Sequence, residues 1–224
     1  LYRNLALSDF DEWVFTLRFG AIPAELTQGL NLGVGRIATG LGTVRTVDLS
    51  SPVPTWATMF TSMFLHGSWM HLGGNMLYLW IFGNNVEDSM GHLRFLIFYL
   101  VCGAVAALLQ AYVEPMSNIP MIGASGAVAG ILGAYLLLHP RARILTFVFL
   151  GIFWTFVRLP AVIVLGGWIV IQIVNAIGVQ PGTGGVAWLA HVGGFLSGVM
   201  LIGVFKHRAG QLFLGSRQGP WGKS

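Results

Sequence analysis

From residue 56 onward, the chain consists of long apolar segments that follow one another with only short polar breaks. Charged residues make up 9% of the sequence and hydrophobic residues 55%, whereas about 25% of a typical soluble domain is charged. Backbone groups inside a bilayer find no water to bind, so a spanning segment must satisfy them internally as a helix. We therefore predict an all-α polytopic membrane protein in contact with the lipid bilayer.

Five of the apolar segments are interpreted as transmembrane helices. They are residues 69–85, 93–113, 125–138, 161–178 and 186–205. A further apolar run, residues 144–157, is too short to cross a bilayer and is followed closely by Pro160. That pattern favours an interfacial or re-entrant hairpin. The sequence therefore predicts five spans and one hairpin.

Basic residues gather on one side of these segments. If the breaks alternate sides, that side receives Arg94, Arg141, Arg143, Arg158, Lys206, Arg208, Arg217 and Lys223. Loops rich in Lys and Arg stay in the cytoplasm, so we expect a cytoplasmic C-terminus. The net charge of +4 is small and scattered, which argues against nucleic-acid binding. We divide the chain into an extramembrane region (1–55), a transmembrane core (56–205) and a cytoplasmic tail (206–224).

Three polar side chains are predicted to reach a similar depth in the outer half of the membrane. From Ser125 to His139 a helix covers about 21 Å, against a hydrocarbon core of about 30 Å. Ser125 would then begin its helix roughly 10 Å below the outer surface. His191 is expected about 9 Å inside the last span, and Asn75 near the middle of the bilayer. Because a helix that begins inside the bilayer leaves backbone groups unpaired, we expect a water-filled cavity there.

Small residues follow the same two helices. Gly126, Gly130 and Gly133 lie on the Ser125 helix, and Ala190, Gly194 and Gly198 on the His191 helix. Such spacing lets helix backbones approach closely in a membrane. Close approach is what a hydrogen bond between a serine and a histidine on two helices requires.

The same residues also fit roles other than catalysis. A serine in a membrane helix commonly serves packing or cross-helix hydrogen bonding, and Asn75 alone fits a structural role. His66 and His71 fit metal ligation, but no Asp, Glu or Cys is expected at their depth and the chain has no HExxH motif. Ionisable groups inside a membrane are costly and usually functional. Together, Ser125, His191, Asn75 and His71 form a group that packing alone does not predict.

Three motifs resemble those of the rhomboid family of intramembrane serine proteases. "HGSWMHLGGN" (66–75) is similar to the family's His-x4-His-x3-Asn pattern, "GASG" (123–126) to its GxSG turn, and "AHVGGFLSG" (190–198) to its AHxxGxxxG helix. Glu87 follows the second family helix, where an acidic residue is usual. The resemblance covers roughly residues 50–205 and implies a rhomboid-like helix bundle.

The resemblance implies a role for each site residue. Ser125 would be the nucleophile and His191 the general base. Asn75, His71 and the Ser125 backbone N–H would form the oxyanion hole, with neither a metal nor another cofactor. The implied partners are transmembrane protein substrates, cleaved near their outer end. The serines at positions 62, 68, 89, 117 and 197 are not expected to be nucleophiles.

The chain also departs from the family pattern. Trp56 is followed by Ala57 rather than Arg, and Ala129 stands where some members carry an aromatic residue that stacks on the histidine. The family core has six helices, and the five segments here match the second to the sixth. We therefore expect the first helix to be missing from this chain. The Gly-rich loop at 180–186 is expected to act as a movable cap over the site.

Two further functions are compatible with a polar cluster inside a membrane protein. A non-catalytic rhomboid-like protein would bind transmembrane clients, but would be expected to lack the serine or the histidine. A transporter with a broken helix at the polar cluster is disfavoured, since the sequence shows neither an inverted repeat nor an intramembrane carboxylate. The expectation is thus an intramembrane endopeptidase, in the plasma membrane of a prokaryote.

Overall fold

The computed structural model describes residues 9–38, 44–178 and 186–207. The helices are α1 (Asp9–Phe19), α2 (Pro23–Gln28), α3 (Thr58–Thr61), α4 (Trp69–Met90), α5 (His92–Val113), α6 (Ser125–Leu138), α7 (Ala161–Gly178) and α8 (Trp188–Phe205). The strands are β1 (Val34–Ala38), β2 (Val44–Asp48), β3 (Arg143–Leu150) and β4 (Phe153–Pro160). Short 3₁₀ turns flank α3 on both sides. The long helices form one bundle, and the strands form two separate hairpins.

The helices α4 to α8 lie where the apolar segments predicted them, within a few residues at their ends. In the described part of the chain, α5, α7 and α8 are long and apolar enough to cross a membrane. The shorter α6 has 14 residues, as expected of a helix that begins inside the bilayer. The structure thus supports a membrane protein with three such helices, and five spans remain a prediction.

The centre of the bundle is α6, in which nearly every residue is buried. It packs on α8 more extensively than on any other helix, and α5 packs on both. A Cβ atom added to Gly198 of α8 would overlap the carbonyl of Gly130, and one added to Gly133 would overlap the carbonyl of Phe195. The small-residue spacing therefore produces backbone contact between α6 and α8, as predicted.

Two antiparallel hairpins depart from a purely helical fold. The run at 144–157 was predicted as a hairpin and lies in one, formed by β3 and β4, with Phe147 opposite Phe156. Its turn contains Gly151 at φ 71°. Aromatic and β-branched residues favour strands, and the run is too short for a spanning helix. The second hairpin, β1 with β2, had not been predicted, so the description all-α was too narrow.

The N-terminal region packs over the end of the bundle where α5 finishes and α6 begins. The Ala24 amide donates to the Ser117 carbonyl at 3.0 Å, and the Thr61 hydroxyl donates to the Phe19 carbonyl at 2.6 Å. At the opposite end, the His207 amide donates to the Ser89 carbonyl at 2.9 Å. The region therefore covers the end of the bundle that carries Ser125.

Candidate active site

The turn before α6 determines where Ser125 lies. Gly123 has a φ of 114°, a conformation that side chains with a Cβ rarely adopt. Its amide donates to the Ser62 carbonyl at 2.9 Å, which fixes the turn against the segment after α3. A Cβ atom on Gly123 would also lie 2.6 Å from the His71 ring. The glycine thus permits the turn and leaves room for the histidine beside it.

Ser125 and His191 meet across the contact between α6 and α8. His191 Nε2 lies 2.8 Å from Ser125 Oγ, a normal hydrogen-bond length. The contact depends on the close approach of α6 and α8, since a Cβ on Gly194 would overlap the Gly126 carbonyl. The structure therefore brings together the two residues that the sequence paired.

The other ring nitrogen of His191 has a partner that the sequence analysis missed. Gln172 of α7 places its Oε1 atom 2.8 Å from His191 Nδ1. Gln172 is 5% exposed, although α7 presents most of its side chains outward. The only signal in the sequence was that this otherwise apolar segment carries two amide side chains, Gln172 and Asn175. Which helix it faces could be known only from the packing.

Two tryptophans confine the His191 ring. The Trp168 ring centroid lies 5.9 Å from that of His191 at an interplanar angle of 34°. The Trp188 ring meets the histidine edge-on, at 6.1 Å and 89°. Neither residue occupies the position of Ala129, where stacking would be expected from the family pattern. The orientation of His191 therefore rests on α7 and on the start of α8.

Asn75 and His71 lie on α4, whose first turn is capped by Ser68 accepting from the His71 amide at 3.1 Å. Asn75 is buried, and its Nδ2 atom has no hydrogen-bond partner among the described residues. The His71 ring packs against Gly123 and meets the His66 ring edge-on at 5.1 Å. The unpaired amide is a free donor inside the protein, and the His71 ring adjoins the turn that carries Ser125.

His66 precedes α4 and lies outside the predicted spans. It stays in its neutral form more readily than an exposed histidine. Burial, followed by the neighbouring His71 ring, lowers the pKa of His66. Within the described residues, no group of three His, Cys, Asp or Glu side chains is placed to hold a metal ion. The chemistry that the contact between Ser125 and His191 offers is proton transfer between a hydroxyl and an imidazole.

A small cavity of about 40 Å³ adjoins the site and is lined by Ser62, Gly123, Ser125 and Ala190, among others. That volume holds a few water molecules at most. Its lining includes the serines Ser62 and Ser125, whose polar groups are possible partners for a water molecule. Most of the predicted cap, residues 180–186, falls outside the described residues.

Three of the other serines that the structure describes donate to nearby backbone carbonyls. Ser197, the one closest in sequence to His191, donates to the Gly194 carbonyl at 2.7 Å, and Ser62 donates to the Met59 carbonyl at 3.2 Å. Ser89 donates to the Val86 carbonyl at 2.6 Å. Each hydroxyl is thus engaged within its own helical turn, whereas Ser125 faces a histidine.

Comparison with known proteins agrees with the arrangement of motifs. A model of the rhomboid domain matches residues 54–208. The chain is 28% identical over 169 residues to "Rhomboid-like protein 11, chloroplastic" of Arabidopsis thaliana, covering 71% of this chain and 56% of the relative. It is 33% identical over 146 residues to "Rhomboid protein 1, mitochondrial" of Saccharomyces cerevisiae, covering 62% of this chain and 39% of the relative.

A bacterial relative is similar over a shorter stretch. The chain is 40% identical over 81 residues to "Rhomboid protease GluP" of Bacillus subtilis, covering 36% of this chain and 15% of that protein. In all three comparisons the chain spans little more than half of the relative's length, or less. The similarity therefore concerns the domain that contains the site.

Proposed function

We propose, because this chain belongs to the rhomboid family, that it is an intramembrane serine endopeptidase acting through Ser125 and His191. The observation that carries the proposal is the 2.8 Å contact between His191 Nε2 and Ser125 Oγ. A serine hydroxyl is a weak nucleophile unless a base takes its proton. The name of the Bacillus subtilis relative, a rhomboid protease, is in line with this reaction.

In the proposed mechanism, His191 Nε2 takes the Ser125 proton as Oγ attacks the carbonyl carbon of the scissile peptide bond. The resulting oxyanion accepts hydrogen bonds from the Ser125 N–H, Asn75 Nδ2 and His71. His191 then donates its proton to the leaving amine, and the peptide bond breaks. Water repeats the sequence on the acyl-enzyme, with His191 as base, and releases the new carboxylate and the serine. A single oxyanion donor is worth roughly 3–4 kcal/mol.

Asn75 is well suited to donate to an oxyanion. A buried amide without a hydrogen-bond partner costs stability, and a catalytic role is one reason for a protein to keep such a group. Since its Nδ2 atom is unpaired in the described structure, it is available when negative charge develops on the substrate. Donors fixed before the reaction need no reorganisation during it.

The proposed substrate is a transmembrane segment of another protein. An apolar cavity of about 400 Å³ opens between α4 and α5 and is bordered by Leu72, Met76, Tyr99 and Ala124, among others. Ala124 immediately precedes Ser125, so an apolar side chain held there would lie next to the proposed nucleophile. A segment that enters from lipid brings side chains of that kind.

The protein is an integral membrane protein, and we propose that it is oriented with its C-terminus in the cytoplasm. The basic residues near the ends of α5, α6, α7 and α8 support this orientation. Ser125 would then face the outer half of the membrane. Relatives are named as chloroplastic and mitochondrial proteins, so the proposed prokaryotic plasma membrane draws no support from them.

A fluorophosphonate probe tests the proposal directly. The intact protein in detergent is treated with the probe, and the labelled residue is mapped by mass spectrometry, alongside cleavage of a transmembrane reporter. We expect labelling at Ser125 and reporter cleavage, with both lost in Ser125→Ala. A folded wild-type protein that neither labels nor cleaves would instead support a non-catalytic, client-binding rhomboid protein.

A further inference from the structure

Gln172 is an uncharged polar group at a costly position. It lies in the middle of α7, and it shares its buried face with Ala161 and Leu165. Neighbouring positions on other faces of α7, such as Ile171 and Val174, are exposed at 57% and 61%. A primary amide shielded from water must find hydrogen-bond partners within the protein. The partners of Gln172 therefore explain what the residue does.

Both ends of the Gln172 amide are engaged. The Nε2 atom donates to the Trp168 carbonyl, one turn earlier in α7, at 3.3 Å. The Oε1 atom lies 2.8 Å from His191 Nδ1. Because a backbone carbonyl only accepts hydrogen bonds, the NH₂ group must face Trp168 and the oxygen must face the histidine. The orientation of the amide is fixed by its own helix.

The fixed amide in turn determines where the His191 proton lies. Oε1 only accepts, so a hydrogen bond at 2.8 Å requires the proton on Nδ1. In a neutral imidazole, Nε2 then carries the lone pair. That lone pair points at Ser125 Oγ, 2.8 Å away. The opposite tautomer would place two acceptors face to face at Gln172 and remove the base from the serine.

We infer that Gln172 is a positioning residue, which holds His191 in the tautomer and orientation that leave Nε2 free to accept the Ser125 proton. The inference rests on the proposed function. In proteases with three-residue sites, a buried group hydrogen-bonded to Nδ1 does this work: a carboxylate in serine proteases, and an Asn amide in papain-like cysteine proteases. Here an uncharged amide suits a site surrounded by apolar helices, where an isolated carboxylate would be costly to bury.

The helix α7, which carries Gln172, also contacts His191 through a second residue. Its principal helix partner is α8, with a smaller contact to α6. It also supplies Trp168, whose ring packs on His191 and on Phe195. A hydrogen bond and a ring contact from the same helix thus act on one imidazole. The serine, its base and the residue that orients the base therefore lie on three different helices, with α7 orienting the base that α8 carries toward the serine of α6.

The test compares three variants of the full chain in detergent, using a transmembrane reporter. Gln172→Met replaces the amide with an apolar chain of similar length, and Gln172→Glu keeps an acceptor in place. Gln110→Met is the matched control, because Gln110 is also a buried glutamine and its Oε1 accepts from the Ala190 amide at 3.2 Å, one residue from His191. Each variant is assayed for kcat, KM and thermal unfolding.

We expect Gln172→Met to lower kcat about 10- to 100-fold, the range found when the partner that orients a metal-binding histidine is removed, with KM little changed. Gln172→Glu should recover most of the lost rate. Gln110→Met should lower the unfolding temperature without a comparable fall in kcat. Wild-type kcat in Gln172→Met, or an equal loss of kcat in Gln110→Met, would overturn the inference.

The tautomer is measured without reference to activity. ¹⁵N-labelled imidazole signals of His191, assigned by their loss in His191→Ala, should show a protonated Nδ1 and an unprotonated Nε2 in the wild type. In Gln172→Met that preference should weaken. Nε2 protonation in the wild type would refute the positioning role even if the protein cleaves its reporter. Conversely, the expected tautomer in a protein that neither labels nor cleaves would refute the proposed function alone.

Discussion

Gly194 of α8 lies against the carbonyl of Gly126 in α6 so closely that no Cβ atom fits between them. Ser125 precedes Gly126, and His191 lies about one turn before Gly194, so this contact sets the separation of the two functional side chains. At that separation His191 Nε2 reaches Ser125 Oγ at 2.8 Å. Gly126 and Gly194 have no reactive side chains, but their contact determines whether His191 can reach Ser125.

The first prediction concerns the serine and the histidine. Ser125→Ala and His191→Ala should each abolish cleavage of a transmembrane reporter, because one removes the nucleophile and the other removes its base. Both variants should remain folded in a thermal unfolding assay. Ser197→Ala serves as the control, since that hydroxyl donates to the Gly194 carbonyl and contacts Cys102 rather than His191, and this variant should cleave the reporter normally. Clear residual cleavage by either of the first two variants would contradict the assignment.

The second prediction concerns the donors on α4. Asn75→Ala should lower kcat roughly 100- to 1000-fold, as the loss of one oxyanion donor does, while labelling by the fluorophosphonate probe continues. His71→Ala should behave in the same way. Because Asn75 Nδ2 has no partner in the described structure, its removal should not lower the unfolding temperature. An unchanged kcat with a lowered unfolding temperature would indicate a structural role for Asn75.

The third prediction concerns the contact between α6 and α8. Gly194→Ala and Gly198→Ala each insert a methyl group where a backbone carbonyl lies. Overpacking of this kind typically costs about 1–3 kcal/mol of unfolding free energy, and it should also reduce cleavage by moving His191 away from Ser125. Gly203→Ala on the same helix has open space around it and should be neutral or slightly stabilising. Equal behaviour of the three variants would count against the contact.

The fourth prediction concerns the turn before Ser125. Gly123→Ala must adopt a φ of 114° and also meets the His71 ring. Backbone strain of this type costs about 1–3 kcal/mol, and relief of the strain would shift both Ser125 and His71. We expect a large loss of kcat with probe labelling slowed. Gly73→Ala, which meets no atom, is the matched control, and normal cleavage by Gly123→Ala would show that the turn is not required.

The sequence by itself determined the environment of the chain and the positions of its long helices. A low charge content and repeated apolar runs indicate a bilayer, because only helices satisfy their backbone groups there. Small residues at every fourth position mark the faces of α6 and α8 that meet, because only such residues allow backbone contact. Local pattern therefore sufficed to pair Ser125 with His191 before any distance was known.

The tertiary structure decided which residues of different elements contact each other, because a local sequence pattern does not contain that information. An apolar helix such as α7 has no polar face to show which side meets the bundle, so the partner of Gln172 depended on the packing of α7 against α8. Likewise, 144–157 alone does not distinguish a paired strand from other short hairpin forms, since pairing joins residues such as Phe147 and Phe156 across a turn. Sequence fixes the period of an element, whereas its contacts depend on how the helices rotate against one another.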